Sequence, residues 1–272
     1  MTVAAFLVLE ETYAPVLLER KAAKLRKETG NSAYRSRLAS DLAKTQFVIQ
    51  NLVRPWKLFI FSPIVTAMCI YIAVMYGLLY ILFTTFTFVF QDVYNFSTSS
   101  AGLSFLGSGV GTLMGLVFVG GLSDFFIKKK MAAGLTIKPE DRLPFAITVP
   151  AVLGLPIGLF IYGWSVQYKV HWILPQIGTA FLGFGMIAIT MAVSTYLVDA
   201  FPVHAASVTA ANAVLRSLLG ALMPLLGLDL YDALGFGWGN SLLAFIALGL
   251  APIPILFAIF GEKLRSRARV IL

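Results

Sequence analysis

Six apolar runs, each long enough to cross a bilayer, decide what this chain can become. They fall at residues 59–83, 101–122, 145–164, 172–198, 206–228 and 240–260 of 272. About 20 predominantly apolar residues span the hydrocarbon core as an α-helix. Strands of a membrane barrel alternate apolar and polar residues in shorter segments, and these runs do not. Inside lipid each backbone polar group must be satisfied within the protein, so a continuous apolar run becomes a helix. The expected fold class is an all-α polytopic membrane protein, a bundle of six transmembrane helices. Composition agrees: 12% of the residues are charged, against about 25% in soluble domains.

The formal net charge of +8 does not point to nucleic acid, because the cations are not gathered on one surface. Residues 10–57 carry ten Lys or Arg, the connection after the second run five, and the tail after the sixth run four, which is nineteen of the 21. The first, third and fifth connections together hold only Lys169. Alternation of this kind follows the positive-inside rule. It puts both ends of the six-span block in the cytoplasm.

Residues 1–9 form an apolar stub without the basic leader or small-residue cleavage site of a signal peptide. The stub is too short to cross a bilayer and runs into a charged helical segment, 10–37, broken near Thr29–Ser32. It reads as the tail of a span that begins before Met1. A second amphipathic helix is expected at 41–54, with Pro55 opening a helix and Trp56 and Lys57 anchoring it at the interface. The expected organisation is 1–9 as the tail of an incomplete span, 10–57 as a basic cytoplasmic loop, 58–261 as the bundle and 262–272 as a basic cytoplasmic tail.

Catalytic chemistry is not visible. His171 and His204 sit in short connections, and no HExxH, phosphate-cradling glycine loop or nucleophile elbow occurs. The lone Cys69 gives neither a disulfide framework nor a zinc site. No cofactor and no metal are expected, and the chain does not read as an enzyme.

Arg216 is the most informative ionisable residue, since it lies about ten residues into the fifth run. A charge at that depth is costly and needs a partner. Asp199, near the end of the fourth run, is the expected one, either as a static pair or as a pair that breaks during a conformational cycle. In the first run Tyr76, Tyr80 and Phe83 fall near one helical face. They are either packing residues or the aromatic wall of a cavity, which would suit amphipathic or cationic solutes through cation–π contact. Asn212, one turn before Arg216, is a further polar candidate. Gly107, Gly111 and Gly115 recur every four residues and let helices approach closely, as a tight static contact or as a sliding surface between two rocking halves.

Several segments resemble one family. Glu11-Thr12-Tyr13-Ala14-Pro15-Val16-Leu17-Leu18 is similar to the motif that ends the sixth helix of fungal drug:proton antiporters of the major facilitator superfamily. Gly121-Leu122-Ser123-Asp124 with Lys128–Lys130 resembles a degenerate copy of that superfamily's loop motif. Pro139-Glu140 with Arg142-Leu143-Pro144, Tyr196-Leu197-Val198-Asp199, Ala211-Asn212 with Leu215-Arg216-Ser217, and Gly261-Glu262-Lys263 with Arg265 resemble the fungal group more closely. The resemblance implies that the six spans are helices seven to twelve, the C-terminal half of a major facilitator fold, and that 10–57 joins two halves. It implies a substrate site near the midplane between two six-helix bundles. Asp124, Asp199 and Arg216 become candidates for charge pairs that change during transport. The implied function is a secondary transporter of small organic compounds, here lacking its N-terminal half: proton-coupled multidrug efflux at the plasma membrane. The implied partners are the lipid bilayer, a small-molecule substrate and a missing N-terminal half or another transporter half. The alternative is a non-transporting half that acts only as a partner. On this reading the 272 residues alone cannot perform alternating access.

Overall fold

A computed structural model of the chain describes residues 14–31, 33–36, 44–97, 100 and 102–267. The stub at 1–9, the start of the Glu11 motif and residues 268–272 of the tail lie outside the described residues. Two compact units are present, Met1–Asn51 and Leu52–Leu272.

In the first unit, α1 (Ala14–Thr29) is built from strong helix formers, chiefly Ala, Leu, Lys, Arg and Glu. It stops where the sequence places a break. The Thr29 hydroxyl donates back to the Leu25 carbonyl at 2.7 Å, and Gly30 takes φ +66°, the left-handed conformation that ends helices.

The helix α2 (Lys44–Phe61) contains Pro55 in its interior, so Pro55 does not open a helix as expected. The break comes at Ser62, whose extended backbone precedes Pro63 at the first position of α3. A proline there loses nothing, because the first N–H groups of a helix have no partner in any case.

The helices of the second unit are α3 (Pro63–Asp92), α4 (Leu106–Ala132), α5 (Phe145–Gln167), α6 (Ile173–Ala200), α7 (Ala205–Leu222), α8 (Gly227–Leu250) and α9 (Pro252–Arg267). Short 3-10 turns precede α4 and α7 and join α7 to α8. The described residues are helical without strands, an all-α fold. The spans α3 and α4 run nine and ten residues past their expected ends. In α3 the extension is held by buried Phe86, Val89 and Phe90 and by Thr85, whose hydroxyl donates to the Ile81 carbonyl at 2.9 Å. In α4 it carries Lys129 and Lys130 into the last turn, where the helix dipole favours cations.

Five continuous helical stretches are long and apolar enough to cross a membrane, and the fifth, Pro202–Leu264, has 63 residues. Its neighbours show that it crosses twice. Arg216 lies against Tyr76, Gly220 against Tyr80 and Gly227 against Ile81, so this part runs parallel to α3. Beyond Gly235 the order inverts: Gly237 meets Gln167, Asn240 lies by Gly163, and Phe245 meets Phe160 edge to face. That part runs antiparallel to α5, although α3 and α5 both start at the lysine-rich end. The reversal is at Gly235, with φ 71° and ψ 173°. Only glycine adopts that conformation without steric cost. The Gln167 side-chain oxygen accepts from the Gly237 N–H at 3.1 Å, which satisfies a donor freed by the turn. The bundle therefore has six spans.

The core is organised on α3, the most buried span. Tyr71, Phe86, Phe90, Tyr162 and Tyr196 are its largest fully buried side chains. Around it, α6 is held close to two neighbours by glycine. Gly111 faces the Ala180 backbone, Gly183 the Ser108 carbonyl and Gly154 the Gly185 backbone. The Gly107/Gly111/Gly115 stripe thus packs on α6 of the same bundle, which overturns its reading as a sliding surface between halves. Gly109, Gly120 and Gly121 instead face open space.

Candidate functional site

Five of the expected site residues come from α3 and α7, which run side by side, and three of them, Tyr76, Tyr80 and Arg216, share one cavity. Helical spacing places Tyr76 and Tyr80 one turn apart on α3, and Arg216 and Gly220 one turn apart on α7. Together with Ser217 and Ala221 these residues line a cavity of about 420 Å³.

Arg216 does not pair with Asp199. Its Nη1 donates to the Tyr76 hydroxyl at 3.1 Å, and its guanidinium carbon lies 4.6 Å from the centre of the Tyr76 ring. One tyrosine thus meets the cation with both its π-face and its oxygen. A cation–π contact contributes about 0.5–2 kcal/mol, rising as the pair is desolvated, and the hydrogen bond to a charged donor adds to it. A search for a carboxylate could not find this partner, because the partner is uncharged. Tyr76 and Tyr80 stack at 6.3 Å between centroids.

Phe83 belongs to a different environment. It touches Tyr80 but continues into Phe86 and Phe105, at 5.7 and 5.6 Å, and it does not line the cavity. Asn212 is buried at 5% exposure and is also outside the lining. Its Oδ1 accepts no hydrogen bond among the described residues.

Asp199 is paired elsewhere, at the lysine-rich end. The Arg142 Nε donates to Asp199 Oδ2 at 2.7 Å, and an Arg142 Nη reaches the Ser123 hydroxyl at 3.5 Å. This joins the start of α5 to the ends of α6 and α4. The 3-10 turn Pro139–Arg142 that carries Arg142 is itself fastened on both sides. Lys130 bonds Asp141 at 2.5 Å, and Lys138 bonds both Glu262 oxygens at 2.8 and 2.9 Å. The Glu262 carboxylate, through hydrogen bond and charge, raises the Lys138 ammonium above its ordinary pKa. Asp124 is exposed and forms no ion pair among the described residues. In the sequence Arg142 stands out as a basic-loop cation and as part of the Pro139–Pro144 motif, and neither feature names its partner.

Replacing Asp199 by Asn should lower the thermal midpoint in detergent, with a loss of about 1–2 kcal/mol for this partly exposed, charge-assisted contact. Arg142→Asp combined with Asp199→Arg should recover part of it. Losses that simply add in the double variant would show the pair to be uncoupled.

Among the described residues, no group of three or more His, Cys, Asp or Glu is placed to hold a metal ion.

The fold and these sites define an all-α polytopic membrane protein with the helix arrangement of half a transporter. The sequence profile of the Major Facilitator Superfamily matches residues 1–224, and the chain belongs to that superfamily, whose members are transporters and not enzymes. It is 50% identical over 98% of its length to an MFS-type transporter, penM, of Penicillium rubens, and covers 52% of that protein. It is 49% identical over 97% of its length to an MFS-type transporter, tndD, of Aspergillus flavipes, covering 50% of it. With an efflux pump, radE, of Floropilus chiversii it shares 45% identity over 99% of its length and 50% of the pump's. The chain spans about half the length of the curated relatives it matches. No solved structure matches it.

Proposed function

We propose that this chain supplies the six C-terminal spans of a secondary transporter that exports small organic compounds in exchange for protons at the plasma membrane. Residues 10–57 are the cytoplasmic loop joining the halves, and 262–272 the cytoplasmic tail. A complementary six-span bundle completes the transport path, and the cavity on α3 and α7 contributes to its wall. The observation that carries this reading is the Arg216–Tyr76 clasp in a solute-sized cavity within the membrane-spanning region. An ionised residue at such a depth marks a substrate or ion pathway by default, and cavities of about 300–1,000 Å³ hold small molecules. Export and proton exchange draw on the motif resemblance, and export also on the efflux-pump relative.

The test is efflux of fluorescent organic anions, cations and neutral solutes from yeast lacking its own exporters. The cells would carry this chain, the N-terminal half of the Penicillium rubens relative, or both. Only the pair should lower accumulation of a solute, and a protonophore should restore it. Efflux by the pair that ignores the protonophore would remove proton exchange. Accumulation unchanged by the pair would remove the transport reading and leave a non-transporting partner.

A further inference from the structure

Among the described residues, the lining of the cavity on α3 and α7 carries one sign of charge. Arg216 is a permanent cation, since a guanidinium is not deprotonated in proteins. No acid on either wall offsets it: α7 has no Asp or Glu, and α3 has none before Asp92 at its far end. Among the described residues Arg216 makes no ion pair. Its bond to Tyr76 occupies one of five N–H donors, so four are left to a ligand.

The same contact changes what the aromatic wall can do. A tyrosine face attracts a cation, but the Tyr76 face already carries one at 4.6 Å. A second cation there would meet the guanidinium, and like charges in a low-dielectric site repel strongly. The wall that would welcome an organic cation if Arg216 were elsewhere therefore disfavours it. Tyr80 remains available to an apolar body. Its ring rests on Gly220 and is 42% exposed, and Ser217 adds a hydroxyl on the α7 side.

We propose that this cavity binds organic anions, with a carboxylate held by the Arg216 guanidinium and an aromatic or apolar body against Tyr80. Guanidinium and carboxylate match as parallel hydrogen-bonding pairs, the strong charge-assisted kind. Tyr76 fixes the guanidinium plane in advance, so less freedom is lost when the anion arrives. This assignment rests on the preceding reading of the cavity as a solute site, and it narrows the solute class.

Three probes of one shape decide it: 2-naphthoate, 2-naphthamide and 2-naphthylmethylammonium. Binding would be measured by ligand-observed NMR on the 272-residue chain in lipid nanodiscs, with Arg216→Gln and Tyr80→Ala chains shown folded by circular dichroism. Naphthoate should bind at least ~10-fold tighter than the amide, and the ammonium most weakly of the three. Arg216→Gln should erase that preference, Tyr80→Ala should weaken every probe, and added salt should weaken naphthoate most. If the amide or the ammonium binds as well as naphthoate, and Tyr80→Ala weakens it, the cavity stands as a solute site and the anion assignment falls. If neither variant alters any probe's binding, the cavity reading falls with it.

Discussion

Valine at position 111 is expected to abolish accumulation of the folded chain. Gly111 sits where α4 crosses α6, and a Cβ there would occupy the space of the Ala180 carbonyl. The obstacle is backbone, so no side chain can rotate away. The helices would have to separate, which also breaks the neighbouring contacts of Gly107 with Thr179 and of Gly183 with the Ser108 carbonyl. Overpacking alone costs about 1–3 kcal/mol. Separating two membrane helices forfeits the close van der Waals contact that drives their association. Gly109→Val and Gly120→Val are the controls, because those positions face open space, and both should accumulate normally. The readout is monodisperse protein after detergent extraction and its melting temperature. A Gly111→Val chain that accumulates and melts like the parent would show that the α4–α6 crossing is looser than described.

Arg216→Ala should reduce efflux by the paired halves at least ~10-fold, equivalent to about 1.4 kcal/mol, with membrane abundance unchanged. The substitution removes the one charge among the described residues that line the cavity and leaves Tyr76 without its bound cation. Arg216→Lys should fall between the two. An ammonium keeps the charge but cannot combine stacking, the tyrosine bond and a fork for a carboxylate. Tyr76→Phe keeps the ring and loses only the hydroxyl, so its effect should be smaller than that of Arg216→Ala. An Arg216→Ala protein of normal abundance that transports as well as the parent would remove Arg216 from the mechanism.

How much of this was legible in the sequence differed by feature. Six crossings were readable because hydropathy and charge alternation are local and additive along the chain. The end of α3 was not, because Phe86 is buried against Tyr162 of a distant span, a neighbour that no window sees. The last reversal was expected as a connection between residues 228 and 240, yet it is nearly a single residue, Gly235. Helix continues to it from both sides, and the turn shows only as a positive φ. At the site, Tyr76, Tyr80 and Arg216 were each singled out, but the partnership was not. Charge pairing is a rule between residue types, and it assigned Arg216 the acid at the end of the preceding span. The structure gives that acid, Asp199, to Arg142, whose place in a basic loop had concealed any specific role. Phe83 and Asn212 shared a helix face with the site residues without reaching the cavity. Helical periodicity gives a direction but does not give what stands there.

The central claim is six crossings, with every lysine-rich connection on one side and the Gly235 turn on the other. It is tested most directly by labelling single cysteines in intact cells with a membrane-impermeant maleimide. In a Cys69→Ser background, Lys169→Cys and Trp238→Cys should react from outside. Lys128→Cys and Leu264→Cys should react only after permeabilisation. Labelling of Leu264→Cys from outside while Lys128→Cys stays protected would mean that residues 202–264 cross once, and would contradict the six-span fold.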